Sequence, residues 1–138
     1  AQEGEIYSLH IGIQKNSNTL KLFDTAHQFG MKYILADEIF FENLPKIYQQ
    51  IDELVSSVDQ LYLTICMDVF NASIAPGVSA AAYNGIFADA TFLHFYRHIL
   101  KSEKLVALDV AEVNPEFDIA ERTARLAASL VNEWFMIS

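Results

Sequence analysis

The stretch "LYLTICMDVF" (61–70) decides how the rest of the chain is read. Leu61 to Met67 are apolar or β-branched enough for a buried strand, and the run ends in a carboxylate, Asp68. Cys66, the only cysteine, stands two positions before that acid. Side chains two apart project from one face of a strand, about 6.5 Å apart along the backbone. Some twenty residues of loop-like sequence follow, "DVFNASIAPGVSAAAYNGIFA" (68–88). Loops of that length in compact domains are usually functional, and open parallel sheets bind ligands beyond their carboxyl ends.

Outward from this stretch, strand-like and helix-like segments alternate. "IYSLHIGI" (6–13), "KYILA" (32–36) and "LVALDVA" (105–111) read as the other strands. Helical spacing runs through 17–30, where Leu20, Phe23, Ala26 and His27 recur after the capping residues "SNT" and Gly30 stops the run. It recurs through 44–58, 89–100 with Asp89 as N-cap, and 118–136. Such alternation implies parallel strands with right-handed crossovers. Strands apolar on both faces imply helices on both sides. The expectation is a single α/β domain over 1–138, a three-layer α/β/α arrangement with a mainly parallel sheet. The strand at 105–111 leads into "EVNPEFD", so Glu112 should share an edge of the sheet with Asp68.

Composition narrows the partners. With 18 acidic and 9 basic residues the net charge is −9, a surface that repels phosphate backbones and anionic lipid. Neither nucleic acid nor a membrane is therefore expected as a partner. Apolar runs fall short of the roughly 18 residues a membrane span needs. The opening "AQEGEIYSLH" lacks the basic lead of a signal peptide, and one cysteine allows no internal disulfide. A cytoplasmic protein is the simplest expectation. Carboxylates at a strand end can hold hard divalent ions such as Mn²⁺, and Glu112 could bind the positive end of an amidinium or guanidinium group.

At this point the segments resemble a known family. "YLTICMDVFNASIAPGVSA" (62–80) is similar to the Asp-x-Asp…Ala-Pro-Gly segment of the ureohydrolases, the binuclear manganese enzymes that include the arginases and agmatinases. "LDVAEVNPEFD" (108–118) and "TARLAASLVNEW" (123–134) resemble the family's Glu-x-Asn-Pro segment and closing helix. "LHIGIQKNSNTLKLFDTAHQFGMKY" (9–33) places the pattern nearest the formimidoylglutamases. The resemblance implies half of an arginase-like fold, the C-terminal half. It also implies manganese-dependent hydrolysis of a linear amidine, N-formimidoyl-L-glutamate, to L-glutamate and formamide in histidine degradation. Asp68 matches a metal-ligand position, and Glu112 the position that binds the substrate's cationic group. Lys15, Asn16 and Asn18 fall in the loop that meets the substrate's amino-acid end.

Two departures accompany the match. Cys66 stands where the family has a metal-bridging aspartate, and a thiolate is a soft ligand better suited to Zn²⁺ than to Mn²⁺. The family's histidine and "D-A-H-x-D" ligands do not occur in this sequence. The expectation is a chain that binds little or no metal alone, is inactive alone, and either self-associates or joins a missing N-terminal half. Two other readings stay open: a non-catalytic assembly or binding module on the same scaffold, and a receiver-like domain with Asp68 as phosphoacceptor. Taken singly, Cys66 reads as a small buried hydrophobe. Glu112 could serve the Asn114–Pro115 turn, His94 and His98 are surface or interface residues, His10 and His27 pack at edges, and Asp37 and Glu38 solvate a strand end. Phe92, Phe95 and Tyr96 read as helix core.

Overall fold

The computed structural model describes residues 6–137. Within them strands and helices alternate: β1 (Leu9–Ile13), α1 (Leu20–Gln28), β2 (Lys32–Leu35), α2 (Leu44–Ser56), β3 (Leu61–Cys66), α3 (Ala90–Leu100), β4 (Leu105–Ala111) and α4 (Arg122–Ile137). Local chemistry accounts for most of the ends. Asp89 caps α3 by accepting the Phe92 N–H at 3.0 Å, and Pro45 sits in the first turn of α2, where its missing N–H costs nothing. Gly30 closes α1 with a left-handed φ of 64°.

Two expected starts differ. No side chain caps α1; the Asn18 amide donates instead to the Gln14 carbonyl at 2.8 Å. Helix α4 begins at Arg122 and not at Asp118, because Ala120 and Glu121 take left-handed φ values of 51° and 57°. Asp118 still serves the helix from outside it. Its carboxylate accepts the N–H groups of Thr123 at 3.0 Å and Ala124 at 3.1 Å, two of the donors a helix start leaves over.

The strands pair in parallel, β1 with β2 (Ile11 beside Ile34) and β3 with β4 (Thr64 beside Asp109, Cys66 beside Ala111). They form two separate two-stranded ladders. Ile34 of β2 and Ile65 of β3 point into a core shared with Ile47 and Ile51 of α2 and Phe92 and Phe95 of α3. Tyr33 points the other way, onto Phe23 and His27 of α1, at ring-centroid distances of 5.4 and 5.9 Å. Thus α1 covers one face, while α2, α3 and α4 pack side by side on the opposite one. The third layer stops at β1–β2. On β3–β4 the corresponding face is exposed at Tyr62 (58%) and Val106 (56%). Right-handed crossovers then fix the lateral order: β2 lies to one side of β1, while β3 and β4 step off to the other.

The expected loop 68–88 is packed and stitched. Phe70 and Ala75 are fully buried and Val78 nearly so. Isolated parallel bridges join Phe70 to Ile86 and Asn71 to Ala82. Phe92 receives the Phe70 ring edge-on at 5.1 Å, and the Tyr96 hydroxyl donates to the Leu130 carbonyl at 2.7 Å, tying α3 to α4. Among the described residues no helix is long and apolar enough to cross a membrane.

Candidate functional site

Strand β3 delivers Cys66 and Asp68 to its carboxyl end through a short 3-10 turn, Met67–Val69. Met67, fully buried, anchors that turn and leaves Asp68 half-buried beside the thiol. The Cys66 thiol lies close enough to the Asp68 carboxylate to feel its charge, and that of Glu112 more weakly. Asp68 and Glu112 therefore meet on one edge, as their places after neighbouring parallel strands require. Burial first, then the Asp68 carboxylate, then Glu112 push the thiol up to about 12. A protonated thiol is a poor nucleophile and a poor ligand.

The labelling chemistry follows. At pH 9 the thiolate fraction falls roughly 500-fold relative to a thiol of pKa 9, and the greater nucleophilicity of the rarer thiolate restores roughly 20-fold. Iodoacetamide should therefore alkylate Cys66 in the metal-free protein roughly 20-fold more slowly than a free thiol at pH 9. Asp68→Asn should speed it several-fold, as mass spectrometry of timed samples would read. Equal rates in the two proteins would contradict the pairing.

Glu112 holds a left-handed φ of 68° immediately after β4, a conformation that costs a non-glycine residue roughly 1–2 kcal/mol. The turn beyond it is closed by Asn114, whose side-chain oxygen accepts the Glu116 N–H at 3.1 Å. Glu112→Asn keeps a residue that tolerates this backbone and removes the charge. It should leave urea stability unchanged or raise it by up to about 1 kcal/mol. A loss of more than about 1 kcal/mol would mean that the carboxylate itself supports the fold.

The Ala-Pro-Gly segment braces the same edge. The Gly77 N–H donates to the buried Thr123 hydroxyl at 2.7 Å, and its carbonyl accepts the Asn114 N–H at 2.7 Å. A Cβ on Gly77 would fall 2.5 Å from Asp118 Cβ, so only glycine fits. Long loop, β4 turn and α4 start are thereby locked together.

At the end of β1, Lys15 and Asn16 line an open cleft of about 300 Å³ with Gln14, Asp37 and Asn84. Lys15 pairs with Asp37 at 3.1 Å, both exposed, while Asn18 is turned back onto the Gln14 carbonyl. Gln14 was not among the expected site residues. Its side-chain oxygen is buried without a hydrogen-bond partner among the described residues, and the signal was an amide closing the apolar run "HIGIQ". Glu38 accepts the Leu35 N–H at 3.0 Å, which holds its carboxyl below the usual range, and pairs with Lys46. It closes the end of β2. His98 pairs with Asp52 at 2.6 Å and packs on Tyr48, whereas His94 meets Phe41, so the two histidines serve separate contacts.

Among the described residues no group of three or more His, Cys, Asp and Glu side chains converges to hold a metal ion. Hard divalent ions need several converging oxygens, and one aspartate beside a protonated thiol does not supply them. These residues alone do not fit a manganese pair.

Comparison with known proteins places this geometry. The chain is 44% identical over 124 residues to the formimidoylglutamase of Staphylococcus carnosus (strain TM300), covering 90% of this chain and 40% of that protein. It is 39% identical over 123 residues to the formimidoylglutamase of Clostridium tetani (strain Massachusetts / E88), covering 89% and 36%. Its fold matches the crystal structure of formimidoylglutamase from Bacillus subtilis (strain 168) with a TM-score of 0.85 at 24% identity, over 93% of this chain and 40% of the other. The chain thus spans about two fifths of the length of these relatives. The arginase family model matches residues 2–137, which takes in both ladders, the braced loop and the closing helix, and the chain belongs to the arginase family.

Proposed function

We propose that the carboxyl edge of β3 and β4 is one wall of an amidine-hydrolysing site of the formimidoylglutamase kind. Its substrate is N-formimidoyl-L-glutamate and its products are L-glutamate and formamide, a step of histidine degradation. The supporting observation is that Cys66, Asp68 and Glu112 stand at the carboxyl ends of the paired strands β3 and β4, in a chain 39–44% identical to formimidoylglutamases. In this reading Glu112 faces the cationic amidinium. Lys15 and Asn16, which line the β1 cleft, suit the carboxylates of the glutamyl end, and Asn18 braces the same loop through the Gln14 carbonyl. Asp68 offers one oxygen-donor side chain toward Mn²⁺, and the remaining donors would come from the part of an arginase-type fold that these 138 residues do not span. Manganese is named in one structural relative, the formiminoglutamase of Trypanosoma cruzi solved with Mn²⁺. Cytoplasmic placement belongs to the same reading.

The chain alone should therefore release no formamide and bind Mn²⁺ weakly or not at all. Calorimetric titration and a formamide assay on the purified chain test this. Micromolar affinity for two Mn²⁺ per chain, with turnover, would overturn it. The protonated thiol at the bridging position favours a second reading, a non-catalytic binding module on the same scaffold. Restored turnover by Cys66→Asp in a complemented protein would decide for the hydrolase lineage.

A further inference from the structure

The long loop carries the dipeptide Asn84–Gly85 at its turn. An asparagine carboxamide is open to attack by the backbone nitrogen of the next residue. The attack is easiest before glycine, which leaves that nitrogen unshielded and the backbone free to bend toward it. Holding the carboxamide or the backbone in place slows the reaction. The chain has seven asparagines, and the structure sorts them. The side-chain amides of Asn18 and Asn43 donate to the Gln14 and Glu38 carbonyls at 2.8 and 2.7 Å. Asn71 is held from both sides, donating to the Tyr83 carbonyl at 2.6 Å and accepting the Ser73 N–H at 3.0 Å. Asn114 precedes a proline, which offers no N–H. Asn132 lies inside α4, where the next N–H belongs to the helix ladder. Asn16 and Asn84 are left, both exposed and without a side-chain hydrogen bond among the described residues. A serine follows Asn16, and glycine follows Asn84. The Gly85 N–H meets the Ala82 carbonyl only at 3.4 Å, beyond the usual range, so the attacking nitrogen is weakly held.

We propose that Asn84 is a site of spontaneous deamidation, which charges the β1 cleft and loosens the loop beside Asp68. The Gly85 nitrogen bonds to Asn84 Cγ, the Cγ–Nδ2 bond breaks, and Nδ2 leaves as ammonia with the proton of the Gly85 N–H. Water then opens the succinimide ring at either carbonyl, giving aspartate or isoaspartate. No oxidant, reductant or enzyme is needed. Both products place a new carboxylate in the cleft that Asn84 shares with Lys15 and Asp37, whose opposite charges now balance. After conversion the cleft carries net negative charge and repels anions. Isoaspartate also inserts a carbon into the main chain. Residues 83–85 lie between two bridges, Asn71 to Ala82 and Phe70 to Ile86. A Cβ on Gly85 would fall 2.5 Å from the Phe70 carbonyl carbon, which leaves no room for slack on that side. The strain therefore falls on two backbone bonds, Asn71 N–H to the Ile86 carbonyl at 2.8 Å and Ile86 N–H to the Val69 carbonyl at 3.0 Å. Val69 directly follows Asp68. The chemistry stands independently of the hydrolase reading.

The test ages the whole folded chain at pH 7 and at pH 8. Peptide mapping with electron-transfer fragmentation, which separates aspartate from isoaspartate, follows each asparagine. Conversion should appear at Asn84 before any other, with Asn16 next, and should run several-fold faster at pH 8, because the attacking nitrogen is the deprotonated one. Asn84→Gln, whose longer side chain closes the ring far more slowly, should stop conversion there and leave the urea midpoint unchanged. In the isoaspartate fraction, hydrogen exchange at Asn71 and Ile86 should quicken roughly tenfold, about the loss of one backbone bond each. It should stay unchanged in Asn84→Asp, which brings the charge without the extra carbon. A folded chain that converts first at Asn16, or at no asparagine, overturns the proposal. Unchanged exchange at Asn71 and Ile86 in the isoaspartate fraction overturns the loosening of the loop.

Discussion

Phe70→Ala should destabilise the chain by about 3–5 kcal/mol, the cost of emptying a large aromatic site in a packed core. Phe70 is fully buried where the long loop leaves β3, with its ring edge-on to Phe92. Phe92 in turn stacks with Tyr96 and meets Phe95, so the vacated volume opens beneath three aromatic rings on α3. Collapse into the gap is opposed by the backbone. Gly85 lies so close that its Cβ would fall 2.5 Å from the Phe70 carbonyl carbon, and the bridge between Phe70 and Ile86 fixes that approach. Domains of this size are stable by about 5–15 kcal/mol, so the change removes about a fifth of the stability or more. Urea unfolding monitored by circular dichroism should report a lower midpoint at constant slope. Phe70→Leu should cost well under half as much. A loss below about 1 kcal/mol for alanine would mean that the loop does not pack as described.

Gly77→Ala should cost about 2–4 kcal/mol through a different mechanism, displacement of a brace. The added methyl meets Asp118 at Cβ (2.5 Å) and at Cα (2.9 Å), and a backbone atom cannot swing aside like a side-chain tip. Moving Asp118 loosens its bonds to Thr123 and Ala124, worth about 1 kcal/mol as a cap. Moving Gly77 strains its bonds to Thr123 and Asn114, each about 1 kcal/mol net and more where a buried donor is left unpaired. Asn114 lies two residues beyond Glu112, so the acid pair at the strand edge should shift as well. Amide exchange at Thr123 and Ala124 should accelerate along with the drop in urea midpoint. Unaltered exchange there, with full stability, would remove the brace from the account.

Most elements were legible because their signals are local. Apolar runs at 61–67 and 105–111 and the near-3.6 repeat of Leu44, Ile47 and Ile51 specify strand and helix without reference to the rest of the chain. Asp89 announces its helix by chemistry alone. The acid edge was legible too, since residues following adjacent parallel strands must end up together. The division into two ladders was not legible, because which strands share hydrogen bonds is settled by non-local contacts. The late start of α4 was hidden for another reason: Ala120 and Glu121 adopt left-handed backbone without the glycine that would signal it. Loop 68–88 read as open because its turn residues are conspicuous, yet Phe70, Ala75, Val78 and Ile86 are core. Gln14 escaped notice because an amide after an apolar run ordinarily marks the return to water.

The unsealed strand margins bear on how the protein behaves as a colloid. Like molecules can stack margin to margin, and at neutral pH the chief barrier to this is mutual repulsion among bodies each carrying −9 charges. Acidification toward the isoelectric point near 4.7, or salt that shortens the Debye length below about 8 Å, withdraws that protection. Dilute, mildly alkaline, low-salt buffer is the medium in which the margins stay apart.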